Sequence, residues 1–189
     1  LFFLNQDTQM LSLCKNHINY IKDLNNVSVI VPKVLNEDKS TQKNIFRYPS
    51  LWSLFFEAIF IKDALLNSRS IKRLLSRETC LDNRIVSMNR YYPSGAAFII
   101  NKNVFNNFGR FDEHIFMYHE ECEMFQRLAT QIKANLVLCR DTVLMHYGGR
   151  SNFNSEKLLA EYWGNLIYVY KKRKKGQALS AIQETAFKR

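Results

Sequence analysis

Apolar residues recur along this chain in two rhythms, and each predicts a different element. Short unbroken runs at Leu1–Leu4, Val27–Val31, Ala96–Ile100, Leu136–Leu138 and Val143–Met145 read as strands inside a sheet. Steps of three and four residues predict helices elsewhere. They run over Thr8–Leu24 through Met10, Leu11, Cys14, Ile18, Ile21 and Leu24, and over Ser50–Leu66 through Leu51, Trp52, Phe55, Phe56, Ile59 and Phe60. They recur over Lys102–Asn107, over Glu120–Thr130 through Met124, Phe125 and Leu128, and over Ser155–Lys172. Strands and helices in this alternation give an α/β fold, a mixed sheet flanked by helices. The polar, irregular stretches Asn36–Asn44 and Ser76–Asn89 read as long loops.

Composition narrows the class. A chain of 189 residues with 47% hydrophobic and 13% aromatic content can bury one substantial core, which excludes a disordered protein. The longest apolar stretch, Leu51–Leu66, is broken by Glu57, Lys62 and Asp63 and cannot span a bilayer. It reads as an amphipathic helix packed on the sheet, with a membrane-facing or lipid-binding surface as the alternative. Cys14, Cys80, Cys122 and Cys139 show no paired metal spacing and read as reduced thiols, which points to the cytoplasm.

Charge adds a second theme. The 27 Lys and Arg outnumber the 17 Asp and Glu to leave a net +10, and Lys171-Lys172-Arg173-Lys174-Lys175 form an unbroken basic run. The run follows Tyr162, Trp163, Leu166, Ile167 and Tyr170, so an aromatic helix ends in cations. That order suits peripheral docking on the anionic inner face of a membrane, against the plainer reading of a solvated helix end. Nucleic acid is disfavoured as a partner, because no zinc knuckle, RNA-recognition motif or helix-turn-helix pattern accompanies the charge.

The densest chemistry lies between Phe111 and Glu123. Asp112, Glu113, Glu120, Glu121 and Glu123 share this stretch with His114 and His119, and no Lys or Arg follows until Arg127. Crowded carboxylates raise one another's pKa, and one so poised can take a proton from a substrate. The alternative is a helix N-terminus whose acids complement the macrodipole. Asn5 and Asp7 close the first apolar run, where the ends of strands in open α/β sheets bind ligands. Their oxygens suit Mg²⁺ or Mn²⁺, although a turn leading into a helix at Thr8 explains them equally. His146 leaves the run Val143–Met145 ahead of Gly148-Gly149, as a metal ligand or as a hydrogen-bonded structural residue. His119 reads as core or rim packing.

The order of these segments resembles the inverting nucleotide-sugar glycosyltransferases of family 2, in the rhamnosyltransferase-like branch with a GT-A fold. The resemblance rests on Ser94-Gly95-Ala96, on Phe105-Asn106-Asn107-Phe108-Gly109-Arg110-Phe111-Asp112-Glu113 and on Phe116-Met117-Tyr118-His119-Glu120-Glu121-Cys122-Glu123. Leu1 to Thr8, Arg47-Tyr48-Pro49-Ser50-Leu51 and Val143 to Ser151 extend it in the same order, over most of residues 1–151.

This resemblance implies that residues 1–153 are a partial GT-A catalytic domain without its nucleotide-binding half, inactive alone, and that 154–189 form an amphipathic basic helical extension. It implies an enzyme of cell-surface polysaccharide synthesis that moves a hexosyl group, rhamnosyl among the candidates, from a nucleotide-diphosphate sugar to a glycan or lipid-linked acceptor hydroxyl. Glu121 would be the general base, with Glu120 as its substitute or orienting partner. Asp7 would hold Mg²⁺ or Mn²⁺ with His146 assisting, and Gly95, Ala96, Asp112 and Glu123 would surround the substrate. Two departures from the pattern are Glu at 121, where the family has Asp, and Asn5 in place of a first Asp. The alternative function is a non-catalytic module that binds a glycan or lipid phosphate.

Overall fold

The computed structural model describes residues 1–14, 27–60, 78–79, 85–132, 134–148 and 156–187. In chain order the strands are β1 (Phe2–Leu4), β2 (Thr8–Ser12), β3 (Val27–Leu35), β4 (Ile45–Arg47), β5 (Glu78–Thr79), β6 (Ile85–Ser87), β7 (Tyr91–Pro93), β8 (Ala97–Ile100) and β9 (Asn135–His146). The helices are α1 (Leu51–Phe60), the single turn α2 (Lys102–Val104), α3 (Glu120–Ile132) and α4 (Glu156–Phe187). A π-helical turn, Phe105–Gly109, continues α2.

The main sheet runs β1-β8-β3-β9-β2, with β6 also on β9, and β4 joins β5 and β7 in a small second sheet. Within the main sheet only β3 and β9 run parallel, so the protein is α/β with a mixed sheet. β3 lies at the centre, and its Val29, Ile30, Val31 and Val34 are buried, as expected of a continuous apolar strand covered on both faces.

β9 determines much of the rest. Pro32 lies opposite Cys139 but Lys33 opposite Val143, so Arg140, Asp141 and Thr142 bulge out of the ladder. The two strands expected at Leu136–Leu138 and Val143–Met145 are therefore one strand with an interruption. The far edge of β9 has two partners in succession, β6 at Asn135–Val137 and β2 at Val143–His146.

This pairing overturns the helix expected over Thr8–Leu24. Thr8, Gln9 and Met10 pair with His146, Met145 and Leu144, and residues 15–24 lie outside the described residues. Only Met10, Leu11 and Cys14 carry the helical spacing in the described part. Hydrogen bonding to an otherwise open edge of β9 outweighs so weak a local preference.

α3 packs where its apolar stripe predicts. In α3, Cys122, Met124, Phe125, Leu128 and Ala129 are buried, and Phe125 meets Phe98 of β8 edge-on with ring centroids 5.0 Å apart. Phe98 in turn stacks on Phe3 of β1 at 4.8 Å. The Asn101 side chain caps α2 by accepting from the Asn103 N–H at 2.9 Å. In α1 the expected packing fails at the first turns, where Leu51, Trp52 and Phe55 are 64%, 73% and 55% exposed. Residues 61–66 of that predicted helix lie outside the described residues.

α4 is fastened to the body along much of its length. Leu166 and Val169 are buried, and the Asn165 amide donates to the Met117 carbonyl at 2.7 Å. Further on, Lys172 donates to Asp112 at 2.7 Å and lies 2.6 Å from a Glu123 oxygen, while the Arg173 guanidinium lies 4.5 Å from the centre of the Tyr48 ring. The basic run is thus not a uniform solvated block, because Lys172 and Arg173 turn inward and leave Lys171, Lys174 and Lys175 exposed. No helix among the described residues is long and apolar enough to cross a membrane.

Candidate functional site

Asp7 sits in the turn between β1 and β2. Its carbonyl accepts from the Tyr147 N–H at 3.0 Å, and the Asn5 N–H donates to the Ala96 carbonyl at 3.0 Å, so the turn is pinned on both sides. Because Thr8 pairs with His146, the strand register brings the two side chains together, with Asp7 Oδ1 3.1 Å from His146 Nε2. A helix from Thr8 would not have made this meeting.

On the other side of the imidazole, His146 Nδ1 lies 3.0 Å from Gln42 Oε1. An amide oxygen can only accept, so Nδ1 is the donor there and Nε2 is the ring nitrogen that faces Asp7. Asp7 Oδ1 and His146 Nε2 are both buried, and neither has a hydrogen-bond partner. A buried carboxylate oxygen and a ring nitrogen in contact are what a cation, a proton or a metal ion, would satisfy. No group of three or more His, Cys, Asp or Glu suited to a metal forms among the described residues, so these donors come as a pair.

The carboxylates arrive from the opposite direction. Tyr118 and His119 adopt left-handed backbone angles, φ 64° and 68°, immediately before α3. Such residues cost roughly 1–3 kcal/mol each, and here they set the entry of α3 so that its first residues meet Gly95. A methyl group on Gly95 would lie 3.9 Å from both Glu120 Oε1 and Glu121 Cδ, so the bare backbone of the Ser94-Gly95 turn adjoins both acids.

Burial raises the pKa of Glu120, with its own backbone N–H opposing, and its Oε2 is enclosed without a hydrogen-bond partner. Glu120 therefore holds a proton more readily than an ordinary glutamate.

Asp7, Glu120 and Glu121 line one cavity of ≈ 640 Å³, with Phe46, Tyr92 and Tyr162 among its walls. His119, buried against the Tyr162 ring at 4.6 Å, sits at its rim, in keeping with the packing role expected of it. His146 and Ala96 line a neighbouring cavity of ≈ 450 Å³, so Asp7 stands between the two spaces.

Of the four residues expected around the substrate, only Ala96 lines either cavity; Gly95 lies behind the two acids, and Asp112 and Glu123 lie elsewhere. Glu123 is 1% exposed and turned away, its carboxylate 2.9 Å from Arg127 Nη2 and 2.6 Å from Lys172 Nζ. Two residues of helix carry it roughly 200° around the axis from Glu121, onto the face toward α4. Arg127 also donates to the Phe108 and Arg110 carbonyls, which ties the preceding loop to α3.

Asp112 does cap a turn, accepting from the His114 N–H at 3.1 Å, but its other oxygen accepts from Tyr168 at 2.9 Å and Lys172 at 2.7 Å. Burial pushes its pKa up, yet Lys172, the His114 N–H and ring, and Tyr168 together outweigh this and hold it well below the usual carboxylate range. Asp112 and Glu123 form a structural joint to α4.

Four participants were missed by sequence reasoning. Gln42 falls in a stretch read only as a loop, Phe46 and Tyr92 belong to short strands with too few residues to show a period, and Tyr162 was assigned to the tail. Tyr162 carried a usable signal, since a tyrosine on the apolar stripe of a helix places a polar tip and an aromatic face at a boundary.

The fold and site together define an α/β protein with a mixed sheet and an acid-bearing, aromatic-walled cavity. Compared with known proteins, the chain matches no family model, no curated protein and no solved structure.

Proposed function

We propose that this chain carries the acceptor side and metal-binding edge of an inverting glycosyltransferase with a GT-A fold. The supporting observation is convergence. Asp7 and the pair Glu120–Glu121, more than a hundred residues apart, open on one cavity, and His146 touches Asp7.

In this reading Glu121 takes the proton of an acceptor hydroxyl as that oxygen attacks the anomeric carbon of a nucleotide-diphosphate hexose. The bond from that carbon to the diphosphate oxygen breaks on the opposite face, which inverts the centre. Glu120, kept protonated longer by burial, orients the acceptor beside it. Asp7 and His146 would hold Mg²⁺ or Mn²⁺, with water and substrate oxygens completing the shell as these ions prefer. Such an ion neutralises a departing diphosphate. Attraction to an anionic membrane face would fall to Lys171, Lys174 and Lys175, at about 1 kcal/mol each.

The test is sugar transfer by the full-length protein from a panel of nucleotide-diphosphate hexoses, with donor binding measured separately. Glu121→Gln is expected to lower turnover by about 10²–10⁴ while donor affinity holds. Near-normal turnover in Glu121→Gln would remove that residue as the base, and no transfer from any donor would remove the proposal.

A further inference from the structure

The same cavity carries information about what enters it. Its described walls hold four aromatic rings, Phe46, Tyr92, Tyr118 and Tyr162, together with Asp7, Glu120 and Glu121, and no Lys or Arg. The rings come from separate parts of the fold: Phe46 and Tyr92 from the small sheet, with centroids 5.7 Å apart, and Tyr162 from α4, 5.9 Å from Tyr118. Flat aromatic faces beside hydrogen-bonding acids match a ligand with one apolar C–H face and an edge of hydroxyls. That is a pyranose ring. No Lys or Arg of the described wall can pair with a ligand's own carboxylate, and beside Glu120 the Glu121 carboxylate opposes one.

We infer that the acceptor is the uncharged pyranose end of a glycan, held against the rings of Phe46 and Tyr162 with its hydroxyls toward Glu120 and Glu121. This rests on the transferase reading and adds an acceptor class to it. α4 then supplies a specificity wall as well as a basic run.

Saturation-transfer NMR on this chain at about pH 7 without added divalent metal, where the glucuronide is ionised, tests the assignment with methyl glucopyranoside, methyl N-acetylglucosaminide and methyl glucuronide as probes. At least one neutral glycoside should bind, and Tyr162→Leu and Phe46→Leu should each weaken it about tenfold, the scale of one lost ring contact. The glucuronide should bind at least about tenfold more weakly, a gap that Glu120→Gln with Glu121→Gln should close. Equal binding of the glucuronide, binding of no neutral glycoside, or neutral binding indifferent to the ring substitutions would each overturn the inference. Phe46 and Tyr162 lie on different elements, so a misfolded variant of one leaves the other as the test. Transfer activity with an acceptor KM unmoved by Tyr162→Leu would sink this inference alone. The predicted binding pattern without transfer would sink the transferase reading alone.

Discussion

Replacing Lys172 by methionine tests the joint between α3 and α4. The ammonium lies 2.7 Å from Asp112 and 2.6 Å from Glu123, and Glu123 is 1% exposed. Removing one partner of a buried ion pair costs about 3–5 kcal/mol, because the remaining charge is left without water or counter-charge. Two features reduce that here. The Lys172 side chain is 38% exposed, and Glu123 keeps Arg127 at 2.9 Å.

A loss of about 2 kcal/mol is therefore expected, which for a domain of this size lowers Tm by about 4–8 °C. Circular dichroism melts of Lys172→Met against Lys174→Met make the comparison. The exposed Lys174 should change stability by less than about 0.5 kcal/mol. Glu123→Gln added to Lys172→Met should cost less than the sum of the two single changes, as expected of groups in one network. A Lys172→Met melt that overlays the unsubstituted protein, or an equal loss in Lys174→Met, would refute the joint.

Other consequences can be checked with single measurements. A methyl group on Gly148 would sit 2.7 Å from His146 Cε1 and 3.1 Å from its Nδ1, so Gly148→Ala must displace the ring from Asp7. Mn²⁺ affinity, read from the spin-resonance signal of the free ion, should fall about 10–100-fold, whereas Gly164→Ala, with nothing within 4 Å, should leave it unchanged. Asp112 has a folded pKa below its unfolded value, so its contribution to stability is present above the ordinary carboxylate range and is lost as pH falls toward the folded value. The Tm gap between the unsubstituted protein and Asp112→Asn should stay constant down to about pH 5 and shrink below about pH 4.

What could be read in the sequence follows the range of the forces involved. β8 and α3 are visible because local patterns match their final surroundings: Ala97, Phe98 and Ile100 are buried, and so is the Met124, Phe125 and Leu128 stripe. β2 is invisible because its strand character comes from residues 143–146, far along the chain. The three acids of α3 look equivalent in a string. Only the packing of α4 separates Glu123, which faces Lys172, from Glu120 and Glu121, which face the cavity. Asp7 and His146 could be nominated from their positions at strand ends, but Gln42, 104 residues from His146, left no local trace.

The double partnership of β9 has a temporal consequence during synthesis. β1 and β2 pair with positions 97–99 and 143–146, so both leave the ribosome long before their partners exist. Closing contacts of such long range is slow. β2 must wait without its partner until translation passes residue 146, and any ion-binding capacity of Asp7 and His146 is acquired only in that late stage of manufacture.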